Sequence, residues 1–442
     1  MKELYSPSLF PLWEGLAQED YVIATYMVAG GASADLVAKS AALAIEQSSG
    51  SWYAVPGETA AIRAKSAAKI IGIYSVPNYE LIAQLPKDQP RYYVLRCAFP
   101  WVNFYDNIPL MLSSVIGNIS SMPNLKLLDL EFPDSYLKQF KGPKFGIAGV
   151  RKLLNIPVRP IVNNMIKPCT GISPAEGAEL FYNAAVGGTD WIKDDELIGG
   201  SPAFSPLEQR VKAYMAAAKR ADEEKGEKTL FTANITDEVT RLRDNAYRAI
   251  EAGANGLLVN VFGVGFSGLR MLAEDPNINV PICAHTCFGG AQTVAPNQGM
   301  STEVAQKLIR LCGADISLNV APSAKFNALK EKFVRTWQMG YSPMQHIKQT
   351  FSLVGGGVTP GMVPYLMENI GNEMVIGVGA GIHAHPMGPK AGAMAFRQSI
   401  DATMKGINIT EAAKKHPELA AAIKTWGIYG VDDYNKLYDL ES

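Results

Sequence analysis

The strongest constraint on this chain's fold is a repeat. From about residue 157 onward, short apolar runs alternate with helical stretches at intervals of roughly 25 to 40 residues. The runs are RPIVNNMI (159–166), TDWIK (189–193), TLFTAN (229–234), GLLVNVF (256–262), VPICAH (280–285), DISLNV (315–320), TFSLV (350–354) and EMVIGV (373–378). Between them lie segments such as SPAEGAELFYNAAVGG (173–188), NAYRAIEAGA (245–254) and STEVAQKLIRLCG (301–313), whose apolar residues follow helical spacing. Eight strand–helix units of this size predict a closed (β/α)8 barrel rather than an open doubly wound sheet.

Residues 1–140 have a different rhythm. YVIATYMVA (21–29), AKIIGIYSV (68–76), YYVLRCAF (92–99) and LKLLDLEF (125–132) are rich in β-branched and aromatic residues, and ADLVAKSAALAIEQ (34–47) reads as a helix. This predicts a small α+β domain at 1–140. The Gly/Pro-marked stretch FKGPKFGIAG (140–149) then leads into the barrel at 141–442, with helices beyond about 400 capping it. A chain of 442 residues is long enough for two such cores.

Charge narrows the partner. Lys and Arg total 41 against 42 Asp and Glu, so no net field draws the chain to nucleic acid or anionic lipid. The expected partner is a small molecule in a local pocket. Cys97, Cys169, Cys283, Cys287 and Cys312 form neither a pairing pattern nor a zinc spacing, which suits a reducing compartment. The N-terminal MKELYSPSLF lacks an apolar signal core, and no stretch approaches the ~20 apolar residues of a membrane span. A cytoplasmic protein is expected.

In a barrel of this kind, residues at the C-terminal strand ends converge on one mouth. Those ends supply Lys167, Lys193 to Glu196, Asn234, Asn260, His285, Lys325 on a loop, and two glycine clusters. Within Gly-Gly-Thr-Asp-Trp-Ile-Lys-Asp-Asp-Glu (187–196), a lysine followed by three acids is a poor choice for packing. Taken in isolation it is a solvated acidic turn. At a barrel mouth it becomes a candidate Mg²⁺ site, since hard cations take several oxygen ligands. Lys193 cannot ligate as an ammonium, but reaction with CO₂ would make it a carbamate with anionic oxygens. Gly355-Gly356-Gly357 and Gly379-Ala380-Gly381 follow the last two strands, where barrels often bind phosphate through backbone N–H groups. Glycines are also ordinary strand terminators; the pairing of two clusters is what points to phosphate. His383 and His385, in GIHAHP, read more naturally as loop-shaping residues.

GGTDWIKDDE resembles the activation motif of the RuBisCO large-chain superfamily, and the likeness extends over nearly the whole chain. Glu46 with SSGSW (48–52), Asn118 in VIGN, KFGIAGVRKLL (144–154), MIKPCTG (165–171) and VGAGIHAHPMGPKAG (378–392) all resemble family segments. The resemblance implies a ferredoxin-like α+β N-terminal domain ahead of the barrel. It implies Lys193 as the carbamylated residue, Asp195 and Glu196 as further Mg²⁺ ligands, and Lys167 as an acid/base. It makes His285 a contact for a substrate hydroxyl and Lys325 the lysine of the loop after strand six. Ser51, Trp52, Gly357 and Gly379, with Gly356, Ala380 and Gly381 beside them, would bind one phosphate. It also implies a homodimer, open to larger homo-oligomers, in which Glu46 and Asn118 complete the partner's site.

The departures bear on function. Cys169 stands where the family has a second lysine, Thr286 where it has an arginine, Ser317 or a neighbour where it has a histidine, and Gly355 where it has a serine. Arginine pairs strongly and bidentately with phosphate, so its loss argues against a bisphosphate, and loss of the second lysine at Cys169 argues against CO₂ fixation. The chain thus resembles the RuBisCO-like proteins (form IV), which share enolisation but not carboxylation. One branch enolises 2,3-diketo-5-methylthiopentyl-1-phosphate in methionine salvage with a lysine base, and the matching position here is Arg96. Others isomerise methylthioribulose phosphate or decarboxylate a β-keto sugar-acid phosphate; the expectation leans to the decarboxylase. The rivals are a Schiff-base phosphosugar aldolase and a catalytically inactive barrel with a binding or regulatory role.

Overall fold

The computed structural model describes residues 7–31, 34–50, 55–200, 202–322, 325–326 and 328–431. The chain divides into two compact units. The first comprises residues 1–141, 288–308 and 345–347, and the second holds the remainder.

In the first unit, β1 (Tyr21–Gly30), β2 (Lys69–Val76), β3 (Arg91–Pro100) and β4 (Leu125–Glu131) form an antiparallel sheet in the order β4-β1-β3-β2. A helix at Leu36–Glu46 lies between β1 and β2, and another at Ile108–Ile116 between β3 and β4. This is the βαββαβ, ferredoxin-like arrangement. Both helices start at side-chain caps: Asp35 accepts from the Ala38 N–H and Asn107 from the Leu110 N–H, each at 3.0 Å. The sheet gains a fifth strand from far along the chain, because β10 (Gln298–Met300) pairs parallel to β4.

In the second unit, among the described residues, β5 (Ile161–Met165), β6 (Trp191–Lys193), β7 (Leu230–Asn234), β8 (Gly256–Asn260), β9 (Ile282–His285), β11 (Ile316–Val320), β12 (Phe351–Gly355) and β13 (Val375–Val378) close a parallel barrel. Each strand falls within two residues of a run read from the sequence. Alternation divides their side chains between the barrel lumen and the surrounding helices. Ile161, Trp191, Leu230, Leu258, Cys283, Ile316, Phe351, Leu353 and Val375 pack into one core cluster with Ile147, Val150 and Leu154 of the helix Gly146–Leu154. The polar residues two positions further along the same strands, Lys193, Thr232, Asn260 and His285, therefore belong to the layer above that apolar plug.

Buried charges brace the frame. Asp315, at the foot of β11, accepts N–H bonds from Phe145 at 2.6 Å, Gly146 at 2.8 Å and Ile282 at 2.9 Å, tying the helix Gly146–Leu154 to β9. Burial pushes its carboxyl up to about 6, against the lowering effect of those three donors. Beyond residue 400 the short helices Ile409–Ala413 and Pro417–Trp426 share a small apolar cluster with Ala402 of the helix Gly388–Met404.

Candidate active site

The segment 187–196 divides into a structural half and a chemical half. Gly187 is required by packing, since a Cβ there would lie 2.3 Å from the Lys390 carbonyl oxygen. Asp190 takes a two-pronged ion pair from Arg159, both contacts at 2.7 Å, and accepts the Val162 N–H at 2.8 Å. The Trp191 indole donates to the Thr232 hydroxyl at 3.0 Å. These contacts fix β6 between β5 and β7, so that the side chains that follow leave the strand end in set directions.

Lys193, the last residue of β6, is fully buried. Its Nζ meets the Asp194 carbonyl oxygen at 3.1 Å and Glu196 Oε2 at 3.7 Å. Asp194 turns away from the mouth. It pairs with the buried Arg210 guanidinium at 2.9 Å and accepts the Asn234 N–H at 2.9 Å, while Arg210 also donates to the Ser205 and Gly199 carbonyls. Burial raises the Asp194 carboxyl above its ordinary value even with Arg210 opposing it. Asp195 faces Lys167, whose Nζ lies 2.6 Å from its Oδ2. Burial alone would lower the Lys167 amine, but the hydrogen bond and charge of Asp195, with smaller effects of Cys169 and Glu196, hold it above the usual lysine value.

His285 closes the group. The Cys287 N–H donates to its Nδ1 at 3.1 Å, so the ring proton sits on Nε2, which lies 3.3 Å from Glu196 Oε2. Burial first, and then the Lys193 charge, push the ring down to about 3, so the imidazole is neutral at ordinary pH. Burial and the Glu196 charge likewise push the Cys287 thiol up to about 11, which leaves it a poor nucleophile. The Asn260 side-chain amide donates to the Glu196 carbonyl oxygen at 3.1 Å and its own Oδ1 is buried without a partner.

Of the two glycine clusters, the one after β13 touches this group through Gly379. Gly356 and Gly357 adopt φ of +101° and +89°, which side chains resist, and a Cβ on Gly356 would lie 2.7 Å from the Phe326 ring. A Cβ on Gly379 would lie 3.2 Å from Lys167 Cε, so the lysine stem runs against this glycine. Gly381 is explained by packing, since its Cβ would meet the Val358 carbonyl oxygen at 2.7 Å; Ala380 opens the short helix Ala380–His383. Lys325 is exposed on the loop after β11, its ammonium 5.2 Å from the Phe326 ring centre.

Of the residues singled out in the sequence, Lys167, Lys193, Asp195, Glu196 and His285 are joined by the contacts above. Glu46 and Asn118 belong to the first unit, where they share one end: the Gln47 side-chain amide donates to the Ser113 and Ser114 carbonyls just ahead of Gly117. Ser51 and Trp52 lie outside the described residues. Two residues missed by sequence reasoning are Arg210, which holds Asp194, and Asn164, which contacts His383; each stands too far along the chain from its partner for any spacing rule to link them. His385 bonds the Met387 N–H and the Glu418 carbonyl, consistent with a loop-shaping residue.

Among the described residues no three His, Cys, Asp or Glu side chains are gathered to hold a metal. The two carboxylates Asp195 and Glu196 suit a hard cation, and the buried amine of Lys193 beside them is the position from which a third anionic oxygen would have to come. With a carbamate there, the donor set fits Mg²⁺. No helix among the described residues is long and apolar enough to cross a membrane.

Family models for the ribulose bisphosphate carboxylase large chain match both units, the N-terminal domain at residues 15–136 and the catalytic domain at 146–426. A ribulose bisphosphate carboxylase-like protein of Archaeoglobus fulgidus is 47% identical over 402 residues, 91% of each chain. A 2,3-diketo-5-methylthiopentyl-1-phosphate enolase of Bacillus cytotoxicus is 33% identical, covering 92% of this chain and 97% of its own. The dimeric archaeal Rubisco of Hyperthermus butylicus superposes with a TM-score of 0.83 at 30% identity, over 95% of this chain and 98% of the other. The chain belongs to the ribulose bisphosphate carboxylase large-chain family, as a RuBisCO-like protein.

Proposed function

We propose that this chain is a Mg²⁺-dependent enzyme that forms an enolate from a phosphorylated keto-sugar derivative, by decarboxylation of a β-keto sugar-acid monophosphate rather than by CO₂ fixation. The observation that carries the reading is the meeting of groups from the ends of β5, β6 and β9: Lys167 on Asp195, and Lys193 and His285 on the adjoining Glu196. CO₂ adds to the Lys193 amine once that amine has released its proton; an N–C bond forms and a further proton leaves, giving a carbamate alongside Asp195 and Glu196. These three groups would hold Mg²⁺, and the ion would supply Lewis-acid stabilisation of negative charge on a substrate oxygen.

The remaining roles fall to side chains. As the C–C bond to the carboxylate breaks, its electron pair moves toward the neighbouring carbonyl, and the Lys167 ammonium donates a proton to the carbon left behind. Asp195 keeps that amine protonated and aimed. Neutral His285 offers its Nε2–H to a substrate oxygen in place of Glu196. Backbone N–H groups of the glycine turns after β12 and β13 hold the single phosphate, Ser51 and Trp52 complete the corresponding site of the partner subunit, and Lys325 acts as a catalytic lysine from the loop after β11. The active unit is a homodimer, as in the Hyperthermus relative, with Glu46 and Asn118 completing the partner's site.

The relatives' activity gives a second reading, enolisation of the methylthio-diketone phosphate. Against it, Arg96 is held by Glu131 at 2.7 Å in the first unit's sheet, and a guanidinium is not a base. Incubating the protein with Mg²⁺, bicarbonate and a panel of keto-acid and diketone phosphates separates the two. Release of CO₂ from the keto-acid supports the first reading. Deuterium exchange into the diketone alone overturns it in favour of the second, and Lys193→Ala is the blank for both.

A further inference from the structure

We propose that Asn164 and His383 form a positioning strap, which sets the distance between the amine of Lys167 and the turn Gly379–Gly381. This deepens the function proposed above and rests on its assignment of those two elements to one site.

Asn164 is fully buried near the end of β5 and is paired in register with Val378 at the end of β13. Its amide nitrogen donates to the Val378 carbonyl at 3.0 Å and to the Met165 carbonyl at 3.3 Å. With both N–H groups facing carbonyls, the amide orientation is set, and Oδ1 is left to face His383 Nε2 at 3.0 Å. That contact is a hydrogen bond only if the ring proton is on Nε2. Burial, and then the Lys167 charge, hold the ring down at about 4, so it is neutral and the tautomer is defined. The chain runs from Met165 to Lys167 on one side and from Val378 to Gly379 on the other. One amide therefore joins the carbonyl two residues before the lysine to the carbonyl directly before the glycine turn, and a histidine at the far end of that turn holds the amide in place.

The arrangement matters because Lys167 and Gly379 already touch, the lysine stem running where a Cβ on the glycine would be crowded. A phosphate on the turn and a proton on the amine must be spaced to match one substrate, and a misplacement of about 1 Å can cost about a hundredfold in rate. Neither residue needs to contact the ligand for this. They are positioning residues.

The test uses the full chain and the pair His383→Phe, which has no donor, and His383→Gln, whose Nε2–H can reach Asn164. Peptide-resolved hydrogen exchange is read at 160–170, 376–385 and, as a control, 190–198, alongside calorimetric binding of inorganic phosphate. The Phe variant is expected to exchange about tenfold faster at the first two segments and not at the control, and to weaken phosphate binding about tenfold. The Gln variant should return both to within about threefold of the parent. Unchanged exchange in the Phe variant, loosening that includes the control, or a Gln variant no better than Phe overturns the strap. If the parent binds no phosphate while the exchange pattern holds, the phosphate assignment fails and the strap stands. Should the Phe variant not fold, Asn164→Asp, which sets a carboxylate against the Val378 carbonyl, is expected to give the same exchange pattern, and its absence is equally decisive.

Discussion

Lys167 and Asp195 form an ion pair of 2.6 Å between the ends of two neighbouring barrel strands, with the carboxylate buried and the amine half exposed. The pair places a proposed proton carrier against a proposed metal ligand, and the two jobs can be separated. Lys167→Met removes the carrier but frees Asp195. Turnover should fall about 10²- to 10⁴-fold, as expected for losing one acid–base group. The rise in melting temperature on adding Mg²⁺ with bicarbonate should persist. Loss of both would mean that Lys167 builds the metal site rather than moving the proton.

The three consecutive acids should behave as three different residues. Asp194 is locked to Arg210, and both are buried, so Asp194→Asn or Arg210→Met breaks a buried pair; for the arginine variant the cost is roughly 3–5 kcal/mol, read as a large fall in melting temperature. Asp195→Asn and Glu196→Gln should leave thermal stability nearer the parent while abolishing the Mg²⁺–bicarbonate response. ¹³C NMR with labelled bicarbonate should show a carbamate signal in the parent and none in Lys193→Ala. An Asp194→Asn protein that loses the metal response while melting normally would reverse the assignment.

Gly379→Ala probes the approach of Lys167 to the proposed phosphate turn. The added methyl would lie 3.2 Å from Lys167 Cε, tighter than ordinary packing, and the neighbour is a flexible stem that can shift by a few tenths of an ångström. Stability should change little, by less than about 1 kcal/mol. The displaced amine should lower kcat more than it raises KM. A variant with parental kcat would show that the lysine's position against this glycine is immaterial.

These expectations mark what could be read from the sequence. Strand periodicity placed all eight barrel strands because β-branched runs bounded by glycine and polar residues leave few alternatives, and strand-end logic then delivered Lys167, Lys193, Asp195, Glu196 and His285 as a group. The role of Asp194 was not legible: the sequence KDDE carries no mark distinguishing its middle acids, and the distinction comes from Arg210 sixteen residues on, across a helix turn. The return of Gln298–Met300 to the N-terminal sheet was equally hidden, since a three-residue strand has too little pattern to show against its surroundings. Asn164 reads in sequence as one more polar residue in a barrel strand, and only the fold brings it to His383.

Asp315 gives the fold itself a pH signature. Its carboxyl is buried beneath the barrel and titrates near 6, about two units above an unfolded aspartate. Because the folded state keeps this proton to higher pH than the unfolded chain does, it binds more protons between the two values, and stability falls as pH rises from about 4 to about 6. The amount attributable to this group is about 3 kcal/mol, already lost by neutral pH. Asp315→Asn cannot ionise; its carbonyl oxygen can keep the Phe145 and Gly146 N–H bonds, while its NH₂ replaces the oxygen that accepts from Ile282, a loss that does not vary with pH. Melting temperatures of parent and variant, compared at about pH 4 and about pH 7, should therefore differ in their pH trends, the parent losing ground to the variant as pH rises. Parallel trends would mean that the three backbone donors hold the folded carboxyl near the unfolded aspartate value, so that burial does not set its titration.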